Sequence, residues 1–175
     1  MDRAEVSQTL GLVGVITCVV QDLQSRKISN TINLTILIVG CLSVLMTGLM
    51  SGLSLWGLLQ QMVFSVSVAI IISVPVYLLK ALGGGDIKLF IALSVYLNTN
   101  QVITLFIASL VWGTLLGLFK AILDKKYLTF FKNIRGLTMA IKPTEDQLTK
   151  IPFSVALLFG YLSVWVIQHQ NGVFL

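Results

Sequence analysis

Seven acidic side chains are spread over 175 residues: Asp2, Glu5, Asp22, Asp86, Asp124, Glu145 and Asp146. Five have plain settings. Asp2 and Glu5 lie in the N-terminal tail, Glu145 and Asp146 lie in a polar loop, and Asp124 reads as a solvated end charge beside Lys125 and Lys126. The other two differ, because Asp22 closes one apolar run and Asp86 opens another. Carboxylates that share a site repel, so one is held protonated and the pair shares a proton. Such a pair polarises a water molecule and protonates a leaving amine, which is the logic of aspartic proteolysis. The plainer alternative is that two aspartates merely end two helices near an interface.

The surroundings of Asp86 favour chemistry. It follows Gly83, Gly84 and Gly85 and precedes Lys88. Glycine lets backbone approach a substrate and adopt positive φ, and irregular backbone at membrane depth is tolerated where it lines a wet cavity. A helix opening at Asp86 also sets the carboxylate at a positive dipole end. Lys88 either snorkels to the headgroups or acts on substrate and local field. Cys18 and Cys41 fall inside apolar runs without CxxC spacing. Neither a zinc site nor a redox pair is expected of them, and both read as small packing residues. His169 lies in a polar tail. No metal and no cofactor is expected.

The elements that carry these residues follow from composition. The chain is 56% hydrophobic and 11% charged, with mean hydropathy +0.93. Soluble domains carry roughly 25% charged residues, so the sequence belongs in a bilayer. No charge occurs from Ile28 to Leu79 or from Leu89 to Phe119. One span needs about 20 apolar residues, so the first stretch holds two. The expected fold is all-α and polytopic, a single membrane-embedded domain over residues 1–175 with about six transmembrane helices. Their expected bounds are about Val6–Gln21, Thr31–Gly48, Leu55–Leu79, Asp86–Leu97, Val102–Leu123 and Ile151–Gln168. The segment Thr47–Ser54 supplies small residues for a tight turn, Pro75 predicts a kink, and Asn98–Gln101 is read as the stop of the fourth helix. That helix, at roughly 18 Å, is short for a core of about 30 Å.

Charge sets the orientation. With these spans, 11 Lys and Arg fall on one side and only Arg3 on the other. The basic side is then cytoplasmic, both termini lie outside, and Asp22 and Asp86 share the cytoplasmic face of the inner (cytoplasmic) membrane. The net charge of +5 follows from this asymmetry and calls for no nucleic acid. The N-terminus carries Asp2 and Glu5 beside Arg3, the wrong pattern for a cleavable signal. Between the last two spans, Tyr127, Phe130, Phe131, Ile134, Leu137 and Ile141 recur at helical spacing. They predict a helix lying on the headgroups, with Gly136 counting against it and a loop with scattered aromatics as the alternative.

At "GGGDIK" the chain resembles the GxGD aspartyl proteases, and more closely the type IV prepilin peptidase family. Three motifs agree in order. "DLQSRKISN", Asp22 to Asn30, resembles the family's first aspartate motif, "GGGDIK", Gly83 to Lys88, its second, and "KIPF", Lys150 to Phe153, the element that opens its last helix. Ser29 stands where that family usually has proline. The extra N-terminal region of the longer enzymes, with its zinc-binding cysteines and N-methylation, is missing, so the chain is similar to the short peptidases of tight-adherence (Flp) pili. The resemblance implies an aspartic endopeptidase with Asp22 and Asp86 as the catalytic pair and Gly83, Gly84, Gly85 and Lys88 as the loop that docks substrate. It implies a prepilin or pseudopilin as partner, cut at the bilayer surface just after a glycine. Three other readings compete. A carrier would predict paired repeats and a second broken helix, and neither is found. A preflagellin or signal-peptide GxGD protease would share the chemistry, but the KIPF element favours the prepilin side. An inactive member of a pilus assembly would keep the fold without catalysis, and only the presence of both aspartates speaks against it.

Overall fold

The computed structural model describes residues 3–25, 29–79, 82–123 and 153–171. The expected headgroup helix at Tyr127–Lys142, and Lys150 to Pro152 of the KIPF element, lie outside these residues. Six helices are described, at the six expected places: α1 (Arg3–Ser25), α2 (Asn30–Met50), α3 (Leu55–Leu78), α4 (Gly84–Ser94), α5 (Thr99–Leu123) and α6 (Phe153–Asn171). Four of them, α1, α2, α3 and α5, are long and apolar enough to cross a membrane, and α6 is apolar over Phe153–His169.

Local chemistry sets the ends. Ser29 caps α2 by accepting the Thr31 N–H at 3.2 Å, and Ser54 caps α3 by accepting the Gly57 N–H at 3.2 Å. Between α2 and α3 the chain makes the expected tight turn. The Leu53 N–H reaches the Gly48 carbonyl at 3.2 Å and the Gly52 N–H reaches that of Leu49 at 3.1 Å. This is a Schellman ending, and it requires the left-handed φ of 78° that Gly52 supplies. Pro75 lies inside α3, which runs through it to Leu78.

Several boundaries differ from expectation, among them the start of α4 at Gly84 and its end at Ser94 rather than Asp86 and Leu97. The helix α5 starts at Thr99, not near Val102, because Asn98 and Gln101 satisfy each other's backbone N–H groups at 2.9 and 3.0 Å. That reciprocal pair is a capping box, so the polar segment opens α5 as much as it stops α4. The helix α1 runs on to Ser25, which puts Asp22 on a helical face one turn after Cys18.

The short helix α4 has 11 residues, roughly 16 Å of axis, short of a bilayer core of about 30 Å. It is instead the helix that the others enclose, in contact with α1, α2, α3 and α6. Leu89 and Leu93 are fully buried, and Ile87, Phe90, Ala92, Ser94 and the following Val95, Tyr96 and Leu97 are buried too. The longer helices turn large apolar side chains outward, such as Ile71, Leu42 and Val111. This inversion suits a bilayer, where lipid takes the place of a core and exposed apolar area costs nothing. Two tyrosines tie the layers together. The Tyr96 hydroxyl donates to the Ile36 carbonyl at 2.8 Å, and the Tyr161 hydroxyl donates to that of Gln8 at 3.0 Å.

Candidate active site

Asp22 leaves the last turn of α1, and Asp86 sits in the first turn of α4. The two helices touch, and the carboxyls are close enough for the charge of Asp22 to act on Asp86. The structure therefore brings together the two acids that the sequence singled out, although 64 positions separate 22 from 86 in the numbering.

Gly83 is the N-cap of α4, with φ −71° and ψ 147°. Asp86 is then the third helical residue, and its carboxyl accepts the Gly83 N–H, the reach-back half of a capping box. The Ile87 N–H closes the first turn on the Gly83 carbonyl at 3.2 Å. The glycines here do not serve the positive φ expected of them, since Gly52 is where the described residues show it. What Gly83 supplies is room, because a Cβ at that position would lie 3.1 Å from Asp86 Oδ2.

Three side chains not foreseen from the sequence complete the cluster. Ser154, in the first turn of α6 and fully buried, donates its hydroxyl to Asp22 Oδ2 at 2.5 Å. Asn33, buried on α2, donates to the Gly85 carbonyl at 3.3 Å and accepts the Cys18 thiol at 3.8 Å. It thereby locks α1, α2 and the entry to α4 together, and gives Cys18 a partner beyond packing. Gln21 accepts the Ser29 N–H at 3.0 Å, which shapes the start of α2 against the end of α1. Asn33 had a sequence signal, since a polar amide inside an apolar run demands a partner. Ser154 had almost none, because serine occurs throughout these helices.

Lys88 is exposed and donates to Asn30 Oδ1 at 2.8 Å, fastening α4 to the start of α2. Asp86 lies at the mouth of α4, outside the membrane-spanning helices. Burial pushes its carboxyl up to about 6, the Asp22 carboxylate adds to the rise, and the Gly83 N–H opposes it. Among the described residues no three His, Cys, Asp or Glu side chains gather to hold a metal ion. A cavity of about 150 Å³ lies at the opposite end of the bundle, lined by Gln8, Thr47, Gln61 and Asn98 among others, and neither aspartate borders it.

Fold and site thus define a polytopic helical membrane protein that gathers two carboxyls and their hydrogen-bond donors at one end. The sequence matches the type IV leader peptidase family over residues 9–118, a stretch that includes both aspartates and ends before Ser154. The chain belongs to that family and is a protease of the leader-peptidase type. Comparison with curated proteins gives no match, and neither does comparison with solved structures.

Proposed function

We propose that this protein is an aspartic endopeptidase that removes the short basic leader of a type IV, Flp-like prepilin or pseudopilin at the cytoplasmic face of the membrane. The observation that carries the reading is the pairing of Asp22 with Asp86 across α1 and α4, with Asp86 held by the Gly83 N–H. Two carboxyls that share a site hold one proton between them over a range of pH, because the charge of one opposes ionisation of the other. One ionised and one protonated carboxyl is the state that hydrolysis needs.

In the reaction, the ionised carboxylate takes a proton from water as the water oxygen attacks the scissile carbonyl carbon. The protonated partner gives its proton to the carbonyl oxygen. When the resulting diol collapses, the carbon–nitrogen bond breaks and the nitrogen takes the proton first removed from water. The second carboxyl recovers its proton from the diol. One water is consumed, and a carboxylic acid and an amine leave.

The location fits such a substrate. A prepilin presents a basic leader in the aqueous phase and an apolar helix in the lipid, so its scissile bond lies at the boundary. The distribution of 11 basic residues against 1 supports the cytoplasm as the side of the pair. Gly83, Gly84, Gly85 and Lys88 lie beside Asp86, where a docking leader would pass. The proposed activity is proteolysis alone, without N-methylation of the product. The test is to reconstitute the purified chain in liposomes with a Flp-type prepilin and to read the products by mass spectrometry. Cleavage just after the leader glycine, with an unmethylated new N-terminus, supports the proposal. An intact prepilin, across a panel of such pilins, contradicts it.

A further inference from the structure

We infer that Ser154 is a positioning residue, whose hydroxyl grips Asp22 Oδ2 and selects Asp22 as the carboxylate that takes the proton from water. This rests on the reading of Asp22 and Asp86 as the catalytic pair. It adds what that reading leaves open, namely which acid is the base.

The geometry is specific. Ser154 is fully buried, so its single hydroxyl proton has no solvent to go to, and it is donated across 2.5 Å to Asp22 Oδ2. A hydroxyl that donates to a carboxylate makes a charge-assisted bond, about twice as strong as a neutral one. A bond made to the charged form favours that form. Ser154 also stands in the first turn of α6, so Asp22 faces a second helix N-terminus, whose partial positive charge stabilises an anion.

Among the described residues, these groups surround Asp22. From its own helix comes the Cys18 thiol, one turn back, which is engaged with Asn33. From α4 comes Asp86, whose charge and that of Asp22 act on each other. Lys88, on the same helix, is engaged with Asn30. From α2 the nearby polar group is the neutral Asn33, and from α6 it is Ser154. Among the described residues no ammonium or guanidinium pairs with either aspartate, and the Ser154 hydroxyl is a donor that Asp22 has and Asp86 lacks. Two features oppose it. The end of α1 carries the negative end of that helix dipole, and the Gly83 N–H serves the anion of Asp86. Burial of Asp86 outweighs that N–H and raises its carboxyl, which favours Asp86 as the partner that carries the shared proton.

The experiment compares full-length wild type, Ser154→Ala, Ser154→Thr and Ser154→Cys with Asp22→Asn, in liposomes with a Flp-type prepilin, over a range of pH. For Ser154→Ala, kcat is expected to fall about 10-fold or more with KM unchanged, the scale of one hydrogen bond to a charged group. The acidic limb of the rate profile is also expected to move up by roughly one pH unit, the scale of one charge-assisted bond. Threonine, which keeps the hydroxyl, restores the profile, and cysteine, a weaker donor, falls between. An alanine variant with unchanged kcat and profile overturns the role of Ser154. Alanine and threonine variants impaired alike, with no movement of the profile, overturn it too, since that pattern marks packing alone. Cleavage by Asp22→Asn overturns the catalytic pair itself, an outcome separable from the other two.

Discussion

Replacing Gly83 with alanine tests whether the glycine run serves the carboxylate or the backbone. At φ −71° and ψ 147° the backbone of residue 83 suits any L-amino acid, so alanine meets no conformational barrier. The added methyl, however, would stand 3.1 Å from Asp86 Oδ2, where about 3.5 Å is the close approach for non-bonded heavy atoms. The carboxyl must yield by a few tenths of an ångström, away from the Gly83 N–H that holds it. A displacement of about 1 Å costs on the order of 10²-fold in rate, so a shift of a third of that predicts a loss of roughly 5- to 10-fold in kcat. Stability should change little, because alanine in place of glycine at an N-cap costs about 1 kcal/mol or less. Gly84→Ala is the internal control. Its methyl would lie 3.8 Å from Tyr77 Cε2, an ordinary contact, so its kcat should stay within about twofold of wild type, any effect on leader docking appearing in KM. Gly83→Ser separates the two possible causes, since serine is a good cap yet carries the same Cβ. The assay is the rate of leader loss from a prepilin in liposomes, at matched protein level, with melting temperatures measured alongside. Full activity in Gly83→Ala, or equal damage from Gly84→Ala, would refute the reasoning.

Other consequences follow from the same contacts. The Asp86 carboxyl is raised from 3.8 to about 6, so the folded state binds its proton more tightly than the unfolded state does. Its contribution favours folding at low pH, falls away as pH climbs between those two values, and is a full penalty above 6. Asp86→Asn should therefore raise the melting temperature at pH 7.5 and leave it unchanged at pH 3.5, as read by thermal unfolding in detergent. Asn33→Ala strips the Gly85 carbonyl and the Cys18 thiol of their shared partner. It should cost about 1 kcal/mol, within the range for polar contacts between membrane helices, and should slow cleavage by loosening the start of α4. Tyr161→Phe removes the bond to the Gln8 carbonyl, near the middle of α6 and about two turns from Ser154. It should cost about 1 kcal/mol in a denaturation measurement while leaving kcat unchanged.

The two aspartates were legible in the sequence because charge in an apolar chain needs a reason, and the other five acids each had a plain one. Helix number was legible for the same cause, since composition alone delimits spans. The glycine run was legible as special, but its purpose was not. Freedom of φ is a property of the residue and can be read from its name, whereas the space Gly83 leaves beside Oδ2 depends on where α4 turns its third residue. Ser154 stayed hidden because it is 132 positions from Asp22, and only the antiparallel return of α6 beside α1 brings it there. The start of α5 was misplaced because Asn98 and Gln101 were counted as breakers, when their side chains satisfy each other's backbone and open the helix. The enclosure of α4 was half visible. Its length ruled out a free crossing, but its packing against four other helices is a tertiary fact with no period of its own.

The most direct test of the paired-carboxylate account is leader cleavage in membranes that co-express a Flp-type prepilin with wild type, Asp22→Asn, Asp86→Asn or Asp124→Asn at equal levels. The account predicts processed pilin with wild type and Asp124→Asn, and none with the other two. Wild-type processing by either Asp22→Asn or Asp86→Asn would contradict it.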